Sequence, residues 1–235
     1  MQTKIISVNN DVLAENTRRA TEQRDAFTKQ GTLVVNLVSS PGAGKTSLLQ
    51  ATARYWSGRF RVAVLVGDLA TDRDAERLRP YLSVEQLTTG GACHLELSLV
   101  QQGLARLPQE AYDFLFIENI GNLVCPASHD LGEHIRVVVL SPTEGDDKPG
   151  KYPKMFRTSQ AMVISKSDLL PYVPFSVQAA IDDAKLIQPN IQTITTSAIR
   201  DDGMHDWCEF LLNARDAMLL ARDEAIQTEP VSDSR

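Results

Sequence analysis

Short, predominantly apolar runs of strand length recur at Leu33–Val38, Arg61–Val66, Phe114–Ile117, Val137–Leu140, Met162–Ile164 and Ile191–Ile194, with a weaker one at Val84–Leu87. Between them lie segments of helical character. Leu48–Trp56 is one; Leu95–Leu107 is another, with Leu97, Val100, Leu104 and Leu107 at three- and four-residue spacing; Asp206–Arg222 is amphipathic. Near-continuous apolar strands alternating with helices predict an α/β fold, a mostly parallel, doubly wound sheet flanked by helices. Asn9–Gln30 is polar, with only Val12, Leu13, Ala20 and Phe27 as sparse apolar positions, and reads as a helix lying on the domain surface. Thr71, Asp72 and Glu76 carry helix-start signals. The chain therefore divides into a helical extension over 1–30, the α/β domain over 31–222 and a polar, flexible tail over 223–235.

In such a sheet ligands bind beyond the carboxyl ends of the strands, so the residues that follow each run carry the candidate chemistry. The first run leads into Ser39-Ser40-Pro41-Gly42-Ala43-Gly44-Lys45-Thr46-Ser47 and then a helix, the strand–loop–helix setting of a P-loop NTPase. Gly42 and Gly44 let the backbone come close to an anion, and the Ala43 and Ser47 positions extend the same cradle. Lys45 reaches the β- and γ-phosphates, and the Thr46 hydroxyl sits on Mg²⁺. Ser39 stands where the usual pattern opens with Gly. The second run ends at Gly67-Asp68 and the Phe114 run at Glu118, which makes Asp68 and Glu118 candidate carboxylates for that magnesium, although a lone acid after a strand also serves as a helix cap. Gly121 gives the Glu118 loop room to move.

Ser165-Lys166-Ser167-Asp168 follows the Met162 run and resembles the Asn-Lys-x-Asp guanine motif. A carboxylate at Asp168 accepts from guanine's ring N–H and exocyclic amine, and the Lys166 stem covers one face of the base. Ser197-Ala198, after the last strand, resembles the turn that contacts guanine O6. Ser165 replaces the motif's Asn, so a contact that braces the pocket is lost or replaced, and guanine preference is expected to be weakened but retained.

Composition narrows the classes. Net charge is −6, from 24 basic and 30 acidic residues with no long basic run, which argues against nucleic acid. Three cysteines are too few for a disulfide framework, and neither a signal peptide nor a bilayer-length apolar run is seen, so a cytoplasmic protein with no membrane contact is expected. Charge-dense stretches at 67–74 and 143–151 read either as solvated loops or as partner contacts.

The segments 36–49, 67–78, 93–95, 118–133 and 143–156 together resemble the HypB family of hydrogenase nickel-incorporation GTPases, over roughly residues 30 to 215. Glu118-Asn-Ile-Gly-Asn-Leu-Val-Cys-Pro-Ala-Ser128 is the most specific piece and separates the chain from urease accessory GTPases. The resemblance implies a SIMIBI-class G domain that binds and slowly hydrolyses GTP to GDP with Mg²⁺. It implies Ni²⁺ or Zn²⁺ at Cys93, His94 and Cys125, with Lys45, Thr46, Asp68 and Glu118 as the catalytic set. It also implies a GTP-bound homodimer that completes the metal site, and as partners a HypA-type nickel accessory protein and the hydrogenase large subunit. From the residues alone, Cys93 and Cys125 read equally as small buried hydrophobes. Cys208, between Trp207 and Phe210, reads as core; His129 is either a further ligand or a surface histidine; His134 and His205 have no partner in sequence. Residues 1–30 lack the Cys and His that many relatives use for nickel storage, so no storage is expected. Competing readings are a non-catalytic metal-binding scaffold, made possible by Ser39 and Ser165, and a small-metabolite kinase, for which neither a phosphate acceptor nor an Arg-rich lid is evident.

Overall fold

The computed structural model describes residues 2–68 and 72–228, with side chains from residue 14 onward. The chain builds one seven-stranded sheet: β1 (Leu33–Ser39), β2 (Val62–Asp68), β3 (Ser83–Thr88), β4 (Phe114–Gly121), β5 (Ile135–Leu140), β6 (Ala161–Ile164) and β7 (Gln192–Thr195). Their order is β3-β2-β4-β1-β5-β6-β7, and every pairing is parallel. The central strands are the most apolar ones because both of their faces are covered: all seven residues of β1 are buried. The weak Val84 run is β3, an edge strand with one fully buried residue, Leu87.

Helices α1 (Gln2–Gln30), α2 (Lys45–Trp56), α3 (Arg73–Leu78), α4 (Leu97–Arg106), α5 (Lys148–Lys151), α6 (Pro153–Arg157), α7 (Val177–Ile187) and α8 (Met204–Thr228) pack around this sheet. On one face Trp56 of α2 stacks on Phe114 of β4 with centroids 4.5 Å apart, and Trp207 of α8 donates its indole N–H to Thr52 Oγ1 at 2.9 Å. Cys208 is buried beside Trp207, as expected, and burial pushes its thiol up to about 12, leaving it an inert packing group. The other face is filled by Leu65, Leu87, Val100, Leu115 and Ile117.

Two element ends differ from expectation. The described helix α1 starts at Gln2, well before Asn9, and α8 runs on to Thr228, so six residues assigned to the tail are helical. Ala, Glu, Arg and Gln in 221–228 are strong helix formers that need no apolar stripe to continue a helix already nucleated by packing. The expected helix start at Thr71, the side chains of Val12 and Leu13, and tail residues 229–235 lie outside the described residues. Helix α1 does more than lie on the surface. Arg24 donates to the Glu133 carbonyl at 2.7 Å and pairs with Asp130, Gln23 donates to the Leu131 carbonyl, and Thr28 Oγ1 meets His134 Nε2 at 3.0 Å. His134 Nδ1 in turn accepts from Val34 N at 2.9 Å, so this ring, which seemed to have no partner, ties α1 to the central strand.

Candidate functional site

The loop after β1 forms the expected cradle. Gly44 has φ +98° and Gly42 φ +74°, a left-handed backbone that side chains rarely adopt, and α2 begins at the next residue, Lys45. Lys45, Thr46 and Glu118 are 8%, 6% and 4% exposed, respectively. Thr46 Oγ1 donates to Glu118 Oε1 at 2.7 Å, while Glu118 Oε2 is buried with no hydrogen-bond partner. Lys45 Nζ donates to Ser39 Oγ at 2.9 Å, so the serine at the loop's first position supplies an acceptor for the buried ammonium. Burial, the largest influence, holds the Lys45 ammonium below its ordinary pKa, and burial raises Glu118 to about 7 against the opposing pull of Lys45. These residues line a cavity of about 200 Å³ together with Gly42, Gly44, Ser47, Asp74, Arg77 and Lys166.

Asp68 sits half-buried at the end of β2, near enough for its charge to act on Lys45, and Asp74 of α3 lines the cavity beside Glu118. Arg77 comes with it, donating to Ser47 Oγ at 3.2 Å and Gln50 Oε1 at 3.1 Å. Sequence reasoning missed Arg77. Its i+3 spacing from Asp74 on one helix face is the signal that could have found it.

In the segment after β6, Lys166 adopts φ +50° and its ammonium donates to the Gly42 carbonyl at 2.6 Å, clamping the phosphate loop. Ser165 Oγ donates to the Ala43 carbonyl at 2.6 Å, so the brace expected to go with the missing Asn is replaced rather than lost. Ser197 Oγ donates to Asp168 Oδ1 at 2.6 Å, and Ala198 follows on the same turn. The guanine-type residues are thus brought together, with the phosphate loop tied to them by two side chains.

Beyond β4 the chain turns through Asn122 into a short helical turn, Cys125–Ser128. At Gly121 a Cβ would lie 2.7 Å from Pro41 Cα, so the close approach of the two loops requires glycine there. Asn122 Nδ2 donates to the Cys93 carbonyl at 3.3 Å and its Oδ1 accepts from Val124 N at 2.7 Å, joining the two cysteine segments. Cys93 Sγ donates to Cys125 Sγ at 2.7 Å and lies 3.8 Å from His94 Nδ1, and the three donor atoms are all within 4.8 Å of one another. The hydrogen bond to Cys125 raises the Cys93 thiol above its ordinary pKa, and burial lowers His94, keeping the imidazole neutral and able to donate a lone pair. Cys93 is exposed and Cys125 half-buried, which removes the reading of both as core hydrophobes. Two thiols and an imidazole suit Ni²⁺ or Zn²⁺. His205 stands apart at the exposed start of α8, 3.0 Å from the Tyr55 hydroxyl.

A phosphate-type loop between a central parallel strand and a helix, with a hydroxyl and a carboxylate behind it, defines a P-loop nucleotide-binding protein. Residues 33–195 match the family model of the CobW/HypB/UreG nucleotide-binding domain. The chain belongs to this family, and within it to the HypB hydrogenase maturation factors. It is 44% identical to the hydrogenase maturation factor HypB of Azotobacter vinelandii over 229 residues, which are 97% of this chain and 76% of that protein. The crystal structure of HypB from Helicobacter pylori in complex with nickel matches with a TM-score of 0.82 at 40% identity, covering 86% of this chain and 96% of that one. HypB from Archaeoglobus fulgidus matches with a TM-score of 0.79 at 36% identity, covering 86% and 99%. Among the described residues no helix is long and apolar enough to cross a membrane.

Proposed function

We propose that the chain is a GTP-hydrolysing metallochaperone that delivers nickel during hydrogenase maturation, its dimerisation and metal binding governed by the bound nucleotide. The observation that carries this reading is the continuity of β4: Glu118 touches Thr46 of the phosphate loop, Gly121 abuts Pro41, and Asn122 and Cys125 follow within seven residues. A change in the nucleotide site is therefore handed to the thiol cluster through one strand end. The HypB structure solved with nickel supports Ni²⁺ as cargo; Zn²⁺ satisfies the same donors.

In this reading Lys45 and the amides of 42–47 hold the phosphates, and Asp168, Ser197, Ala198 and Lys166 form the guanine side. Mg²⁺ fits the hard oxygens at Thr46 and Glu118, where Glu118 Oε2 is buried without a partner, and Asp68 or Asp74 would hold it through a water; bound there it would neutralise phosphate charge. Glu118 and Asp68 are not assigned as general bases. Cys93, His94 and Cys125 give three donors, and a second copy of the chain facing them completes the coordination, which supports a GTP-bound homodimer. Lys148 or Lys151, on the charge-dense segment after β5, engages Asp72 or the phosphates across that dimer, so reversing both charges abolishes GTP-induced association. A HypA-type protein and the hydrogenase large subunit are the partners of such a factor, and the cytoplasm is its compartment. The described part of 1–30 acts as a helical strap on the 31–222 domain.

The test measures GTP hydrolysis and Ni²⁺ affinity on one sample, with GDP and with a non-hydrolysable GTP analogue, and Cys125→Ala as control. Turnover together with a nucleotide-dependent Ni²⁺ affinity supports the proposal; equal affinities remove the coupling, and no turnover leaves the scaffold reading.

A further inference from the structure

The three donors do not account for the ring beside them. His129 stacks on His94 with centroids 3.8 Å apart and planes 26° from parallel. The turn that carries His129 is fixed from several sides. Its backbone N–H donates to the Pro126 carbonyl at 3.2 Å, and its carbonyl accepts from Arg136 Nη2 at 2.6 Å. Arg136 is itself locked in a buried pair with Glu133. The His129 Nδ1 lies 2.9 Å from the Cys125 carbonyl. A carbonyl only accepts, so Nδ1 carries the proton and the ring orientation is set by the same turn that positions Cys125.

Stacking and coordination use different parts of an imidazole. A cation binds the lone pair in the ring plane, whereas the stack occupies the π face, so His94 can do both at once. The same geometry excludes His129 as a ligand of that ion, because a cation in the plane of His94 lies well off the plane of a ring stacked against it. What the stack controls is the direction of the His94 plane relative to the two thiols. Ni²⁺ among soft donors has directional preferences, while Zn²⁺, with a filled d shell, has none from its electrons. An imidazole held in place before the ion arrives also loses less freedom on binding.

We infer that His129 is a positioning residue for the Cys93–His94–Cys125 cluster, holding the His94 ring plane and biasing the cluster toward Ni²⁺ over Zn²⁺. The inference rests on the metal-binding reading of that cluster. Its test uses the full chain, reduced and free of nucleotide, with Ni²⁺ and Zn²⁺ affinities measured by chelator competition and the thiolate-to-nickel absorption recorded alongside. His129→Ala removes both contacts, His129→Phe keeps a stacking ring without the hydrogen bond, and thermal melting confirms that each variant folds. Expected for His129→Ala is a loss of about tenfold in Ni²⁺ affinity, in the range of supporting contacts around metal ligands. A smaller loss for Zn²⁺ and a shifted absorption band accompany it, and His129→Phe recovers most of the Ni²⁺ affinity. The inference is overturned if His129→Ala matches the parent, if both metals weaken equally, or if His129→Phe is as weak as His129→Ala. A parent protein that binds neither metal sinks the metal-binding reading itself.

Discussion

The phosphate loop and the thiol cluster lie beyond the carboxyl ends of the sheet's strands, joined by the end of β4, yet they are built in opposite ways. Around the loop the functional groups are buried and already held: Lys45 by Ser39, Thr46 by Glu118, the loop carbonyls by Ser165 and Lys166. Around the thiols, Cys93 and Val124 are exposed, the latter at 62%, and the two cysteine segments are joined to each other through Asn122 and the stacked rings of His94 and His129. A preformed site recognises its ligand without rearranging, at the cost of keeping charges out of water, which is why Lys45 and Glu118 are shifted in opposite directions. In the proposed role an open cluster of three donors suits uptake and release of a metal, because it leaves coordination positions for donors from outside.

The sharpest way to break this contrast is Lys45→Ala. It should reduce GTP turnover by on the order of 10²–10³-fold, the scale of losing a positioned donor at a developing charge. Ni²⁺ binding in the absence of nucleotide should stay at the parental level in chelator competition. If it collapses too, the two sites are one cooperative unit and the contrast is wrong. The reciprocal change, Cys125→Ala, removes one of three donors and should weaken Ni²⁺ by on the order of a hundredfold. Fluorescence titration with GDP should show no change, since Cys125 touches nothing in the phosphate cradle.

How far each region could be read from sequence follows the same division. The cradle is local: Gly42 to Thr46 are contiguous, and strand, loop and helix announce themselves through apolar runs and glycines. The parallel sheet was legible for the same reason, down to the weak edge strand β3. What was not legible depends on segments distant in sequence that the fold brings together. Arg77 reaches Ser47 from another helix, 30 residues away, and His134 reaches Val34 across 100. Ser39 and Ser165 looked like defects because a pattern records residue types and not the hydrogen bonds that stand in for them. The close approach at Gly121 was not legible either, since the Pro41 backbone it accommodates lies 80 residues earlier. His94 and His129 were both visible, but no spacing rule predicts that two loops will lay their rings face to face.

A third measurement tests the cost of preforming the cradle. Glu118 has an ordinary value of 4.5 and is raised to about 7 in the fold. Below 4.5 it is neutral in both states. Between 4.5 and 7 the unfolded chain gives up the proton while the folded one keeps it, so this group's contribution to stability falls as pH rises through that window and is constant above it. In the absence of Mg²⁺ and nucleotide, Glu118→Gln should therefore match the parent near pH 4.5 and exceed it by about 2 kcal/mol at pH 8 in urea unfolding, somewhat less than the full shift implies because Thr46 and Lys45 relax. An advantage that does not change with pH would mean that Glu118 is not held as the acid.

The smallest expected effect lies at Arg77, where the two architectures meet on one residue: a half-exposed guanidinium lining the phosphate-loop cavity. Its pairing with Asp74 at 3.5 Å is a surface contact, both partners being more than 40% exposed, and such pairs contribute under about 1 kcal/mol. Arg77→Ala should accordingly leave the melting temperature almost unchanged. The same guanidinium lines the cavity with Lys45, Thr46 and Glu118, and its planar fork is suited to phosphate oxygens. Kcat/KM for GTP should fall about tenfold, the low end for a charged group near a reacting phosphate. Arg77→Lys should recover only part of the loss, since a point charge keeps the attraction but not the fork. A variant that melts earlier while turning over GTP normally would assign Arg77 to the packing of α3 against α2, and the cradle would then owe its charge to Lys45 and Lys166 alone.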